Sequence, residues 1–193
     1  NLYGNSLLKR AILIKNDALI NNLFAISDFA FEKALKNNLI TAVLANNMVA
    51  FNMLLERPEV NVNDNDGSNT ALIAALEMNN MDAFNLLLER PEININDNIG
   101  YKTALKTAIE SNNLAAVNAL LEKNNINVND NNGNITALSI ACDKGELEIV
   151  KALLDRNDIN INDNSGNTTA LKLAVKNKFH EIVGLLLDRK EID

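Results

Sequence analysis

The sequence predicts an all-α fold: a solenoid of stacked helix-turn-helix units with short β-turn fingers, about five to six repeats long. Three observations predict it. Thr70, Thr103, Thr136 and Thr169 stand 33 residues apart and close four versions of one segment: Asp64-Asn-Asp-Gly-Ser-Asn-Thr-Ala-Leu72, Asp97-Asn-Ile-Gly-Tyr-Lys-Thr-Ala-Leu105, Asp130-Asn-Asn-Gly-Asn-Ile-Thr-Ala-Leu138 and Asp163-Asn-Ser-Gly-Asn-Thr-Thr-Ala-Leu171. A fixed period of that size marks stacked supersecondary units. Between the turn segments lie two short apolar stretches at helical spacing, parted by a polar break such as Asn79-Asn80.

Residues 61–93 show how each element arises. Asn61 to Asn69 is an extended piece running into a turn, in which Gly67 is free to take the left-handed conformation. Thr70 directly precedes an apolar run and is expected to cap the first helix, its hydroxyl accepting an early backbone N–H. That helix covers Ala71 to Met78 and is small on one side, with Ala71, Ala74 and Ala75. Asn79-Asn80, like Asn46-Asn47 and Asn112-Asn113, predicts a left-handed, helix-ending turn, because Asn tolerates positive φ best after Gly. The second helix runs from about Met81 to Glu89, with Met81, Phe84, Leu87 and Leu88 on one face, and Arg90-Pro91-Glu92 ends it. Val60, Ile93, Ile126 and Ile159 follow the exits and are expected to plug the seams between units. Helices this short are not stable alone in water, so stacking supplies the stability.

Residues 38–60 repeat this helix pair one period earlier without its turn segment. Ser27 to Asn37 has neither Gly nor Thr, and Phe29 to Leu35 reads as helical. Leu7 to Phe24 carries a fainter helix pair around Lys15-Asn16-Asp17. The expected organisation is an atypical helical cap or degenerate repeat over 1–37, then an array over 38–193: a partial unit at 38–60 and units at 61–93, 94–126, 127–159 and 160–193. The phase breaks off at Glu191-Ile192-Asp193, from which a fragment of a longer protein is expected.

Composition narrows the function classes. The chain is 47% hydrophobic and 22% charged, which suits a folded domain. About one residue in five is Asn, spread through the repeats and not run together. A net charge of −7 argues against nucleic acid and anionic membranes as targets. The lone Cys142 has no internal disulfide partner, which favours a reducing compartment. No apolar run is long enough to span a bilayer.

A turn-rich finger and two helices every 33 residues, with Asp-x-x-Gly and Thr-x-Leu in register, resemble the ankyrin repeat family. Leu147 to Asp155 (Leu-Glu-Ile-Val-Lys-Ala-Leu-Leu-Asp) is similar to that family's second helix. The resemblance is strong over 61–193, good over 38–60 and weak over 1–37. The family's Thr-Pro-Leu-His is here Thr-Ala-Leu followed by Ile73, Lys106, Ser139 or Lys172. Both the preorganising Pro and the His that ties neighbouring fingers together are therefore absent, which puts finger rigidity in question. The family's inter-helix Gly survives only as Gly145.

The resemblance implies a non-catalytic module that binds a partner protein through a concave face of finger tips and first helices. Carried over residue by residue, that face comprises Asp66, Ser68 and Asn69, then Ile99, Tyr101 and Lys102, then Asn132, Asn134 and Ile135, and Ser165, Asn167 and Thr168. The first helices add Glu77, Met78, Glu110, Ser111, Asp143, Lys144 and Lys176. The copies disagree at these positions while their caps and core agree. Ile99, Tyr101 and Ile135 stand out as apolar side chains on turns, serving either as binding anchors or as packing between fingers. No cofactor and no metal is expected, and a monomer is. The expected location is cytoplasmic, or a host cell's cytoplasm if the chain is a secreted effector of an intracellular bacterium, a class to which some Asn-rich ankyrin domains belong. Glu92-Ile93-Asn94 and Asp158-Ile159-Asn160 resemble asparagine sites hydroxylated in some ankyrin domains.

Catalytic constellations are weak. His180 is the only histidine, at a position held by Met81, Leu114 and Leu147 in sister copies, and a partly buried structural role is expected. Cys142 aligns with Leu76, Ile109 and Val175 and is expected in the core. Ser139 and His180 lie in different repeats without an orienting partner. The Asp-Asn-rich runs lack the final Glu of a calcium loop, and no Gly-rich phosphate loop is present. Two other readings compete: the targeting arm of a larger enzyme, and a structural spacer.

Overall fold

The computed structural model describes residues 2–25, 35, 37–190 and 192. Among the described residues these α-helices follow one another: α1 Leu2–Leu13, α2 Asp17–Ala25, α3 Asn38–Leu44, α4 Met48–Leu55, α5 Ala71–Glu77, α6 Met81–Leu88, α7 Ala104–Glu110, α8 Leu114–Leu121, α9 Ala137–Lys144, α10 Leu147–Leu154, α11 Ala170–Lys176 and α12 His180–Leu187. Two compact units result, Asn1–Ile99 with α1–α6 and Gly100–Asp193 with α7–α12. Each is a stack of helix hairpins. Among the described residues the β pairing is a single bridge, Asn65 to Thr70, inside a finger. The helix expected over Phe29 to Leu35 lies outside the described residues except for Leu35, which is helical and buried.

The helix starts fall where the sequence puts them. Thr70, Thr103, Thr136 and Thr169 have extended backbones, and each hydroxyl accepts from the N–H three residues on, at 3.2–3.3 Å. Behind these caps Ala71–Leu76, Ala104–Ile109 and Ala137–Cys142 are buried without interruption. Their small residues let a short helix be enclosed on all sides.

The turns between paired helices also follow the sequence. Asn46, Asn79, Asn112, Gly145 and Lys178 all have positive φ, between 48° and 75°, and Lys15 does the same between α1 and α2. The faint N-terminal pair is therefore a helix hairpin of the same design. The second Asn of each pair has a separate task. Asn47, Asn80 and Asn113 cap the following helix, each Oδ1 accepting from the N–H of Ala50, Ala83 or Ala116 at 3.0 Å. An Asn-Asn pair thus ends one helix and starts the next. Second helices bury Phe51 and Leu54, Phe84 and Leu87, Val117 and Leu120, and Val150 and Leu153. Leu87 is wholly enclosed, and its truncation to Ala costs about 2–5 kcal/mol.

The seam plugs differ from expectation. Val60, Ile93 and Ile159 are only half-buried, although Ile126 is buried. The deep residues are Val62, Ile95, Val128 and Ile161, two places later. Alternation along an extended segment puts residues i and i+2 on one face, and the first of them still lies in the turn that leaves the helix. In that turn the N–H of Val60 donates to the Arg57 carbonyl at 3.1 Å.

Polar side chains tie consecutive repeats together within each unit. In the first, Arg57 Nη2 donates to the Phe24 carbonyl at the end of α2, at 3.0 Å. In the second, Arg156 Nη1 donates to the Leu121 carbonyl at 3.0 Å, and Arg189 donates to the Leu154 carbonyl. Each arginine answers the orphan carbonyls of the preceding second helix. His180 departs from its expected place. It opens α12 at the surface and is exposed, because the first residue of this last second helix has no following repeat laid against it among the described residues.

Candidate protein-binding surface

The fingers begin as self-closed polar turns. In the first unit, Asp66 Oδ1 accepts from the N–H of Ser68 at 2.9 Å and of Asn69 at 2.8 Å, and Asn65 Oδ1 accepts from Gly67 N–H. The exposed Asp66 carboxylate therefore shapes its own tip. Ser68, Glu77 and Met78 are exposed with it. Asn69 is different: it is buried, and its Nδ2 reaches back to Glu77 Oε2 at 2.9 Å. It braces finger against helix and offers no free surface. Ile99, at the end of this unit, is half-buried.

In the second unit the fingers are joined to one another. Tyr101 is 72% exposed, yet its ring lies so close to Gly133 that a Cβ there would meet Tyr101 Cδ1 at 2.8 Å. The next contact repeats the idea, since a Cβ on Gly166 would meet the Asn134 carbonyl oxygen at 2.6 Å. Asn132 Nδ2 approaches the Gly100 carbonyl at 3.4 Å, and Asn131 Nδ2 donates to Ser165 Oγ at 3.1 Å. Asn132, Asn134 and Asn167 are exposed, while Lys102, Ile135, Ser165 and Thr168 are half-buried. On the first helices Glu110, Ser111, Asp143, Lys144 and Lys176 are exposed, and the Asp143 carboxylate and carbonyl both accept from Asn177 Nδ2 at 2.9 Å.

One residue of this surface was not foreseen. Lys106 is 3% exposed, and its Nζ donates to Asp130 Oδ2 at 2.6 Å and to the Asn132 carbonyl at 2.8 Å. A first-helix side chain thus enters the base of the next finger and holds it by a charged pair and a bond to the backbone. The signal available in the sequence was Lys in place of an expected His. Its reach across 24 and 26 residues was not.

The repeat period, the capped helix pairs and the left-handed turns all point one way, and sequence comparison agrees. A family model described as ankyrin repeats, in three copies, matches residues 39–132 and 105–193. The chain belongs to the ankyrin repeat family. An ankyrin repeat domain from Acinetobacter baumannii AYE, known from its crystal structure, is similar at 25% identity with a TM-score of 0.79, over 93% of this chain and 95% of that one. No curated protein matches the chain by sequence.

Ankyrin repeats are generally protein-protein interaction modules, and the departures seen here can be judged in that light. The loss of the family's finger-tying His does not leave the second unit's fingers untied, because Lys106 and the Tyr101 ring on Gly133 together hold one junction and the Asn131–Ser165 bond holds the next. Cys142 is buried, and burial pushes its thiol up to about 12. A thiol so protonated is no nucleophile at neutral pH. Among the described residues there is no group of three or more His, Cys, Asp or Glu side chains suited to a metal ion, and no helix long and apolar enough to cross a membrane.

Proposed function

We propose that this ankyrin repeat chain binds a partner protein through the finger tips and exposed first-helix residues of its second unit, with Tyr101 as the main anchor. The observation that carries the reading is the pairing of Tyr101 with Gly133. The ring is held against a backbone with no Cβ, yet most of its surface faces water. An aromatic ring that is already fixed loses little entropy on binding, and Tyr is among the residues enriched at interface hot spots. Exposed Asn132, Asn134, Glu110, Asp143 and Lys144 supply further polar contacts, and Ile135 adds apolar area. The first unit contributes Asp66, Ser68 and Met78 as a separate contact region. Lys102 and Ser111 complete the set, and Ile99 joins the first unit's share.

Site-specific photo-crosslinking tests this. A crosslinker at position 101 is expected to capture a partner protein from cell extract, and one at exposed Asn118 on α8 is not. The capture is expected to disappear in a Lys102→Glu background. Equal capture from both positions, or capture from position 118 alone, overturns the assignment of the binding face.

A further inference from the structure

We propose that Asn132 is a self-modification site, at which the buried ammonium of Lys106 promotes deamidation to aspartate and isoaspartate. Asn132-Gly133 is the only Asn-Gly pair in the chain. It occupies the centre of an exposed turn closed by the bond from Asn134 N–H to the Asn131 carbonyl at 2.8 Å. Gly133 has φ +80° and no side chain to hinder its nitrogen.

The reaction starts when the Gly133 N–H gives up its proton and the nitrogen attacks Cγ of Asn132. The N–Cγ bond forms, the Cγ–Nδ2 bond breaks, and Nδ2 departs as ammonia with the proton. Water then opens the resulting succinimide ring. Hydrolysis of the N–Cγ bond leaves aspartate. Hydrolysis of the original peptide bond leaves isoaspartate, in which the backbone runs through Cβ and Cγ and the old peptide carbonyl has become a carboxylate. Solvent supplies every reactant, and no oxidation is involved.

Lys106 bears on the difficult step, loss of the peptide proton. The oxygen it grips at 2.8 Å belongs to the same peptide group as Gly133 N. When that N–H ionises, the charge spreads onto this oxygen, where a fixed and buried ammonium stabilises it. Asp130, at 2.6 Å, holds the ammonium in place. The other fingers have Asp66, Ile99 and Ser165 before their glycines, so none has this combination. Ordered turns normally slow such cyclisations by restricting the backbone. Here the order brings the catalyst.

The test incubates the whole chain in mildly alkaline buffer and follows each Asn by peptide mass, with isoaspartyl methyltransferase labelling of the products. Asn132 is expected to convert first among the 36 asparagines, and faster than the same residue in a synthetic peptide of residues 127–139. Lys106→Met is expected to slow conversion roughly tenfold, the rate equivalent of one charge-assisted hydrogen bond, and Lys106→Arg to retain most of it. Should Lys106→Met fail to fold, the comparison of native protein with peptide still decides. A native protein that reacts more slowly than the peptide, or a folded Lys106→Met variant reacting at the native rate, overturns the proposal.

Discussion

Asn129 and Asn160 hold two successive repeats together through one amide group: the Asn160 N–H donates to Asn129 Oδ1 at 2.7 Å while Asn129 Nδ2 donates to the Asp158 carbonyl at 2.6 Å. Asn63 does the same in the first unit, accepting from the Asn94 N–H and donating to the Glu92 carbonyl, both at 2.8 Å. A side-chain amide has one donor end and one acceptor end, so it reads a backbone segment much as a neighbouring strand would. Asn129→Ala is expected to destabilise the protein by about 1–2 kcal/mol, two hydrogen bonds of ordinary net worth. Urea unfolding measures it, and a change below the error of that experiment would mean that water replaces the amide without loss.

Ala71→Pro is expected to stabilise by about 0.4–1 kcal/mol. Ala71 is the first residue of α5, where an N–H has no helical partner, and Thr70 before it has φ −92° and ψ 168°, which a following Pro requires. Thermal unfolding gives the sign, and a lower midpoint would show that the buried site has no room for the ring.

Gly145 and Phe179 make a matched pair at the equivalent place to Asn46 and Asn80, whose side chains hydrogen-bond at 3.3 Å. A Cβ on Gly145 would meet Phe179 Cζ at 2.6 Å. Gly145→Asn alone is therefore expected to cost about 1–3 kcal/mol by overpacking, even though Asn accepts the left-handed backbone elsewhere in the protein. Gly145→Asn with Phe179→Asn is expected to recover most of that loss by recreating the sister contact. A double-mutant cycle reads the coupling, and additive effects would break the pairing.

Cys142 gives a pH dependence of known sign. Its ordinary value of 9.0 applies to the unfolded protein and rises to about 12 on burial. Between those values the unfolded state has lost the proton that the folded state keeps, so stability falls as pH rises. Wild type is expected to lose more stability than Cys142→Ala between pH 9.0 and about 12. Near neutral pH the native thiol is expected to resist alkylation until denaturant is added. Parallel alkaline slopes for the two proteins would dismiss this account.

Local chemistry explains which features could be read in advance. A Thr before an apolar run and an Asn pair after it act within four residues, so caps and turns were legible from the sequence. Cys142 in the core followed from its alignment with Leu76 and Ile109. What escaped depended on contacts a full repeat away. Lys106 looked like the loss of a tether and is one. Asn69 sits in a variable tip yet folds back onto Glu77. Asn129 is hard to single out among its many neighbours of the same type. Val62 and Val60 are chemically alike, and only the path of the backbone decides which is deeper. His180, exposed at the start of α12, departs from the partly buried place that alignment with Met81, Leu114 and Leu147 suggested.

Each of the polar links described between hairpins of the second unit, from Asn129 to Asp158 or from Arg156 to Leu121, spans about one period and no more. None of these struts skips a neighbour. Under mechanical tension such a row gives way like press-studs, each seam parting before the next bears load, and it can snap back the same way. A domain so built could yield a few helices to a pulling partner while the remainder stays folded.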